Sequence, residues 1–263
     1  MAIMEDPQAF FDTLINKYKY KLKGVGDLKY HLGADFKRDP DGTLQMSPES
    51  YIKRMLENFE RMFGKAPFKY SCPMEKDDSP ELDTTDELDE VDKRKYMSII
   101  GALQWCITLG RFDIAVAVMT LSRFRTCPRV GHMKRVHRVC GYLRKHPDAG
   151  IRFRTGIPNN EASYAMPHYD WMYSVYGNSG EDVATDLPTP KGKAVRTTTF
   201  VDANLMHCKV TGKSATGILT LLNQTPVDWF SKRQSTVETA TYGSEFVAAR
   251  IATEQVIALR LQL

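Results

Sequence analysis

The chain has 263 residues, 42% apolar and 26% charged, with a formal net charge of +4, values that leave room for one large or two modest globular domains. A membrane span is excluded, since no apolar run approaches the ~20 residues that a transmembrane helix needs, and residues 1–23 hold no signal-peptide hydrophobic region. An intracellular protein with no membrane partner is expected. The five cysteines, Cys72, Cys106, Cys127, Cys140 and Cys208, are odd in number and lack a CxxC pair, which fits reduced thiols.

In chain order, "DPQAFFDTLINKYKYKLK" predicts a helix capped by Asp6, with Pro7 at its first position and Phe10, Phe11, Leu14, Ile15 and Tyr18 on its apolar side. "LKYHLGADFKRDPDGTLQMS" follows as a hairpin turning at residues 39–42. "PESYIKRMLENFERMFG" then reads as a second helix. Its Tyr51, Ile52, Met55, Leu56, Phe59, Met62 and Phe63 form a broad apolar stripe, and Gly64 closes it.

The mild net charge conceals two opposed blocks. Residues 71–93 carry ten Asp or Glu against two Lys, whereas residues 94–154 carry thirteen Lys or Arg against two Asp. The acidic block, with Pro73, Ser79, Pro80, Thr84 and Thr85 and few apolar residues, predicts a flexible surface linker. Its adjacent Asp77 and Asp78 sit among Pro and Ser rather than on an apolar strand, which argues against a polymerase metal pair. Beyond it, "RKYMSIIGALQWCITLGRFDIAVAVMTLSRF" predicts two apolar helices broken near residues 110–113, and "VGHMKRVHRVCGYLRKHPD" a third. On that third helix Met133, Val136, Cys140 and Leu143 are spaced to face a core, leaving Lys134, Arg135, Arg138, Arg144 and Lys145 largely exposed. Such a face is either simply solvated or a seat for nucleic-acid phosphates, with salt-sensitive affinity from counterion release. His132, His137 and Cys140, and His207 beside Cys208, lack the spacing of a structural zinc site.

Residues 155–192 are interrupted by Gly and Pro; "YDWMYSVYG" within them has strand-like aromatics, and Trp171, Tyr173 and Tyr176 suit either a packed core or base stacking. From residue 195 the pattern sharpens. "VRTTTFVDAN" predicts a β-branched strand delivering Asp202, and "SATGILTLLN" and "TPVDWFSKRQ" two more, bounded by Gly212 and Lys213 and by residues 223–226. A helix follows from Gly243, with Phe246, Ala249, Ile251, Ala252, Val256, Leu259 and Leu263 at helical spacing, Ser244 as cap and Glu245 in the first turn. An Asp on a strand and a Glu at a helix start can hold a divalent metal through oxygen ligands. The same two residues also serve ordinarily as a turn former and as a partner of the helix dipole.

The strings "TFVDAN", "TGKSATGILTLLN", "PVDWFSKRQSTVETATYGSEFVAAR" and "EQVIALRL", in this order, resemble the RNase H region of copia-type LTR retrotransposon polyproteins. "VGDLKYHLGADF", "GTLQMSPESYIKRMLENF" and "SCPME" resemble the end of the reverse transcriptase palm and the start of the thumb in the same polyproteins. Tyr96, Ile99, Gly101, "LGRFDIA" and "LSRF" match the intervening segment, which in relatives lies along primer and template. The resemblance implies metal-ligand roles for Asp202 and Glu245, but not for Glu238, with Mg²⁺ as the cofactor and Mn²⁺ as a substitute. Asn204 and Leu205 stand where many relatives have Asp and Trp, and the polymerase's tyrosine-X-aspartate-aspartate turn is absent from these residues. The family's further RNase H acids come from beyond the last helix and are not among residues 1–263.

The expected fold class is therefore α+β: the end of a polymerase palm and start of its thumb (1–70), an acidic linker (71–93), a helical thumb and connection (94–154), an irregular connector (155–194), and the β-β-β-α beginning of an RNase H-like domain (195–263). The implied family activity is RNA-directed DNA synthesis with metal-dependent hydrolysis of the RNA strand of hybrids, this chain being inactive by itself. Its partners would be an RNA–DNA hybrid or primer–template and the rest of the polyprotein, in a cytoplasmic virus-like particle or the nucleus. The alternative is a non-catalytic nucleic-acid-binding remnant, or a decayed mobile-element fragment.

Overall fold

The computed structural model describes residues 7–22, 27–156 and 194–263. Asp6, the aromatics Trp171, Tyr173 and Tyr176, and nearly all of the 155–194 connector lie outside them. The first helix, α1 (Pro7–Asp12), runs into a π-helical turn at Thr13–Lys17. Its Phe10, Ile15 and Tyr18 are exposed rather than packed.

Strands β1 (Tyr30–His31), β2 (Ala34–Arg38) and β3 (Leu44–Ser47) pair antiparallel. The β2–β3 turn forms where the sequence places it: Gly42 donates its N–H to the Asp39 carbonyl at 2.9 Å and takes φ +83°, which favours glycine. Helix α2 (Glu49–Phe63) follows and ends at Gly64 in the left-handed region. Its first residue is tied down by Lys37 at 2.8 Å and Lys53 at 2.6 Å, whose hydrogen bonds pull the Glu49 carboxyl down to about 2.

Helix α3 (Glu90–Thr108) starts inside the acidic block, because the Asp89 side chain accepts the Asp92 N–H at 2.8 Å and caps it. After the expected break, α4 (Ala115–Leu121) and α5 (Val130–Lys145) complete a helical group. One core joins α2 with α3, α4 and α5 through Ile52, Phe59, Tyr96, Leu103, Val118, Val136 and Leu143, all essentially buried. Each such apolar side chain contributes roughly 1.5–3 kcal/mol by leaving water. Tyr96 keeps its hydroxyl satisfied inside that core by donating to the Leu121 carbonyl at 2.7 Å. Strand β4 (Ile151–Arg152) then returns to β3 and completes a sheet of order β1-β2-β3-β4.

The second sheet is the expected meander, β5 (Thr197–Asn204), β6 (Ala215–Leu222) and β7 (Thr225–Arg233), in order β5-β6-β7, followed by α6 (Thr241–Arg260). β5 runs two residues past Asp202, which pairs with Gly217. Two expectations about α6 are corrected. Ser244 is not the cap; it lies inside the helix, fully buried, donating to the Thr241 carbonyl at 2.8 Å. The packed face is the small-residue stripe Ser244, Ala248 and Ala252, while Phe246 and Leu263 are exposed. Small side chains let the helix backbone approach the sheet closely, whereas periodicity reports only which residues share a face.

The two units touch through Trp229 of β7. Its ring lies 5.5 Å from that of Phe112, and its indole N–H donates to the Ile107 carbonyl at 3.1 Å. The Arg154 N–H also donates to Thr225 Oγ1 at 2.8 Å. Among the described residues the architecture is α+β: two small antiparallel sheets flanking and following a helical core.

Candidate metal and nucleic-acid sites

Alternation along β5 decides where Asp202 points. Phe200, Asp202 and Asn204 share one face of the strand, and Thr199, Val201 and Ala203 the other. Asp202 and Asn204 line a cleft of about 400 Å³ whose opposite wall is α4. Thr199 and Val201 line the groove beneath α6. Gln234 anchors the start of α6 over the same end of the sheet, donating to the Ser244 carbonyl at 2.8 Å and to Thr216 Oγ1 at 3.1 Å. Thr216 pairs with Ala203, next to Asp202, so the turn that carries Glu245 stands at the level of Asp202. The two carboxylates thus stand toward one end of the sheet, on opposite faces of it. Neither makes a side-chain hydrogen bond or ion pair among the described residues, and the cleft that Asp202 lines does not include Glu245. No group of three or more His, Cys, Asp or Glu side chains is placed to share a metal among the described residues.

The cleft in front of Asp202 has features that sequence spacing did not reveal. His207 contacts Thr120 Oγ1 at 3.3 Å and Asn204 at 3.2 Å, and burial holds its imidazole below the usual range. Arg123, in the 3₁₀ turn after α4, donates to Cys208 Sγ at 2.9 Å across the boundary between the units. Burial opposes ionisation of that thiol, but hydrogen bonds from Thr211 and Arg123 outweigh it and bring it down to about 7. Lys232 and Arg233, at the end of β7, border the same cleft and are exposed, Arg233 on the strand face that carries Asp202 and Lys232 on the opposite face. The adjacent cations at 232–233 were legible in the string "SKRQ"; the place of Arg233 in one cleft with Arg123 was not, because it depends on how the units dock.

The five basic residues of α5 are placed differently from the open face read from the sequence. Arg135 forms ion pairs with Asp78 at 2.8 Å and Asp83 at 2.5 Å, and Arg138 with Glu75 at 2.6 Å while lying 4.5 Å over the Tyr70 ring. Arg144 donates to the Pro67 carbonyl and Lys145 to Ser71 Oγ, both at 2.7 Å, and only Lys134 has no such tie among the described residues. Lys134, Arg144 and Lys145 are exposed as expected, whereas Arg135 and Arg138 are half-buried.

The acidic block is correspondingly no free linker where it meets α5. Thr85 accepts from the Arg129 side chain through its carbonyl and from the Gly131 N–H through its hydroxyl. The approach is close enough that a Cβ at Gly131 would collide with the Asp83 carboxylate. Against the penalty of its burial, hydrogen bonds from Thr85 and Arg135 hold the Asp83 carboxyl below the usual range. Opposite charges separated in sequence have condensed on each other.

No family model matches the chain, and no solved structure does. It is 26% identical over 242 residues, 92% of its length, to a retrovirus-related Pol polyprotein from transposon RE1 of Arabidopsis thaliana. It is 26% identical over 234 residues, 88% of its length, to a putative transposon Ty5-1 protein of Saccharomyces cerevisiae. A retrovirus-related Pol polyprotein from transposon TNT 1-94 of Nicotiana tabacum is 25% identical over 92% of the chain. The matched region spans 14% of the Arabidopsis polyprotein, 62% of the yeast protein and 16% of the tobacco polyprotein. The resemblance carried by the residue strings is borne out by these matches: the chain is homologous to a segment of copia-type retrotransposon Pol polyproteins.

Proposed function

We propose that this segment runs from the end of a reverse transcriptase palm, through thumb and connection, into the first half of an RNase H-like unit. In this reading it holds an RNA–DNA hybrid or primer–template and does not hydrolyse it unaided. The observation that carries the reading is the β5-β6-β7 meander backed by α6, with Asp202 on its first strand and Glu245 in the first turns of the helix. Both are carboxylates free of other side-chain partners among the described residues, a donor type that suits a hard divalent cation such as Mg²⁺ or Mn²⁺. Asp202 and Glu245 would hold it, and when bound it would supply charge stabilisation at a phosphate and an activated water. With no third ligand beside them among the described residues, the pair is expected to leave hydrolysis dependent on acids from elsewhere in the polyprotein. Residence in a cytoplasmic particle or the nucleus belongs to the same proposal.

A second reading, a non-catalytic nucleic-acid-binding remnant, is favoured by the direction of Asp202, away from the face that α6 covers. Incubating a labelled RNA–DNA hybrid with the chain and with Asp202→Asn, in Mg²⁺ or Mn²⁺, tests the proposal. Salt-sensitive binding without cleavage is expected. Cleavage that disappears in Asp202→Asn would overturn the claim that the chain cannot hydrolyse unaided, and absence of binding would sink the nucleic-acid reading.

A further inference from the structure

The turn between β5 and β6, residues 205–214, is wedged between two elements of the helical unit. On one side His207 meets Thr120 Oγ1 of α4 at 3.3 Å, and Cys208 Sγ accepts from Arg123 Nη2 at 2.9 Å. On the other, the Lys209 N–H donates at 2.7 Å to Glu81, in the 3₁₀ turn Pro80–Leu82 of the acidic block. The turn also holds its own shape. The Cys208 N–H donates to the Lys213 carbonyl at 3.0 Å, and the Gly212 N–H to the Cys208 carbonyl at 2.8 Å.

Arg123 is half-buried and meets no carboxylate among the described residues. Its Nη1 is buried without a partner there, and Cys208 Sγ is its one side-chain acceptor. A cation drawn out of water needs a counter-charge, and the group set against it to supply one is this thiol, 1% exposed. Thr211 hydrogen-bonds to the same thiol from within the turn. The other charged or titratable side chains around it are Glu81 from the acidic block and, on the turn itself, Lys209, Lys213 and His207, whose burial keeps it neutral to more acidic pH.

We infer that the β5–β6 turn is a latch between the sheet and the helical unit, closed by a thiolate–guanidinium contact between Cys208 and Arg123 and loosened when the thiol takes up a proton. The latch sets the spacing of α4 and β5, the two walls of the cleft that Asp202 lines, without any ligand. The Cys208 thiol is lowered from 9.0 to about 7, so its contribution is complete above the ordinary thiol range and is lost as pH falls through 7. A drop of that size is a preference of the thiolate for the closed turn of about a hundredfold. Thr211 stays with the turn whether it is docked or not, so the part that crosses to Arg123 is smaller, about tenfold.

Two measurements on the full chain test the latch. The ultraviolet absorbance of thiolate, taken as the difference between the unaltered chain and Cys208→Ser, is expected to titrate with a midpoint at about 7. Amide deuterium exchange of residues 205–214, compared between the two proteins at one pH, is expected to be about tenfold slower in the unaltered chain at about pH 8 and equal at about pH 6. Arg123→Gln should raise the midpoint and remove the difference seen at the higher pH. Serine nearly keeps the side chain's size and stays neutral throughout, so Cys208→Ser decides the matter by itself if Arg123→Gln fails to fold. A midpoint in the ordinary thiol range overturns the inference, as does the absence of any exchange difference. An exchange difference of the same size at both pH values also overturns it, because Cys208 would then be only a packed side chain.

Discussion

α5 and the end of β7 both carry adjacent basic side chains, yet they stand in opposite electrostatic states. Arg135 meets Asp78, which lies 57 residues earlier in the chain, and Arg138 meets Glu75, 63 residues earlier. Lys232 and Arg233 meet no carboxylate partner among the described residues. A count of charges along the chain thus favours α5 as a phosphate surface, while the fold neutralises much of it and leaves the shorter pair open. The regions differ in packing too. The helical group buries large side chains such as Phe59, Tyr96 and Leu103, whereas α6 rests on its sheet through Ser244, Ala248 and Ala252 and leaves Tyr242, Phe246 and Leu261 exposed.

Substitution can break that contrast or sharpen it. Leu103→Ala, at a position with no solvent exposure, is expected to destabilise the chain by about 2–5 kcal/mol in urea unfolding. Leu261→Ala, 75% exposed, should stay within about 0.5 kcal/mol, and equal losses at the two positions would erase the difference in packing. Arg135→Ala would strand Asp78 and Asp83, whose side chains are only 13% and 6% exposed, at an expected loss of about 3 kcal/mol. Lys145→Ala, removing one exposed tie to Ser71, should change stability by less than about 1 kcal/mol. If Arg135→Ala proves as mild as Lys145→Ala, the acidic block is not anchored as described.

A smaller, pH-dependent effect belongs to the helical region. His137 is enclosed between Phe59 and Phe63, with ring centroids 4.8 and 4.5 Å away, and burial lowers its imidazole to about 4. Because the folded value lies below the unfolded value of about 6.5, the unfolded chain takes up the proton first as pH falls. Stability should therefore decline between about pH 6.5 and pH 4. His137→Phe should flatten that part of the profile; a profile that keeps its slope would show that His137 is not its source.

Much of the fold was legible along the chain. The β2–β3 turn, the stripe of α2 closed by Gly64, the break before α4 and the three-strand meander with its following helix are local patterns, set by backbone sterics and by apolar residues recurring within a few positions. The retrotransposon relationship was carried by residue strings, which sequence comparison alone can match. The placement of Asp202 was half legible: its strand could be read, but the face it points to required the register of β5 and the side on which α6 docks.

The strand β4, the docking of the acidic block on α5 and the cleft joining Arg123 to Arg233 left no comparable signal. Each depends on contacts between residues far apart in the chain, and ion-pair partners cannot be assigned from composition because any of ten acids in residues 71–93 could have met any cation downstream. By itself, then, the sequence determined the local elements, their order and the chain's relatives, since these follow from short-range periodicity and residue identity. The tertiary structure alone decided which charges remain open to a ligand, because neutralising a charge takes a partner brought within a few ångströms, and long-range packing chooses that partner.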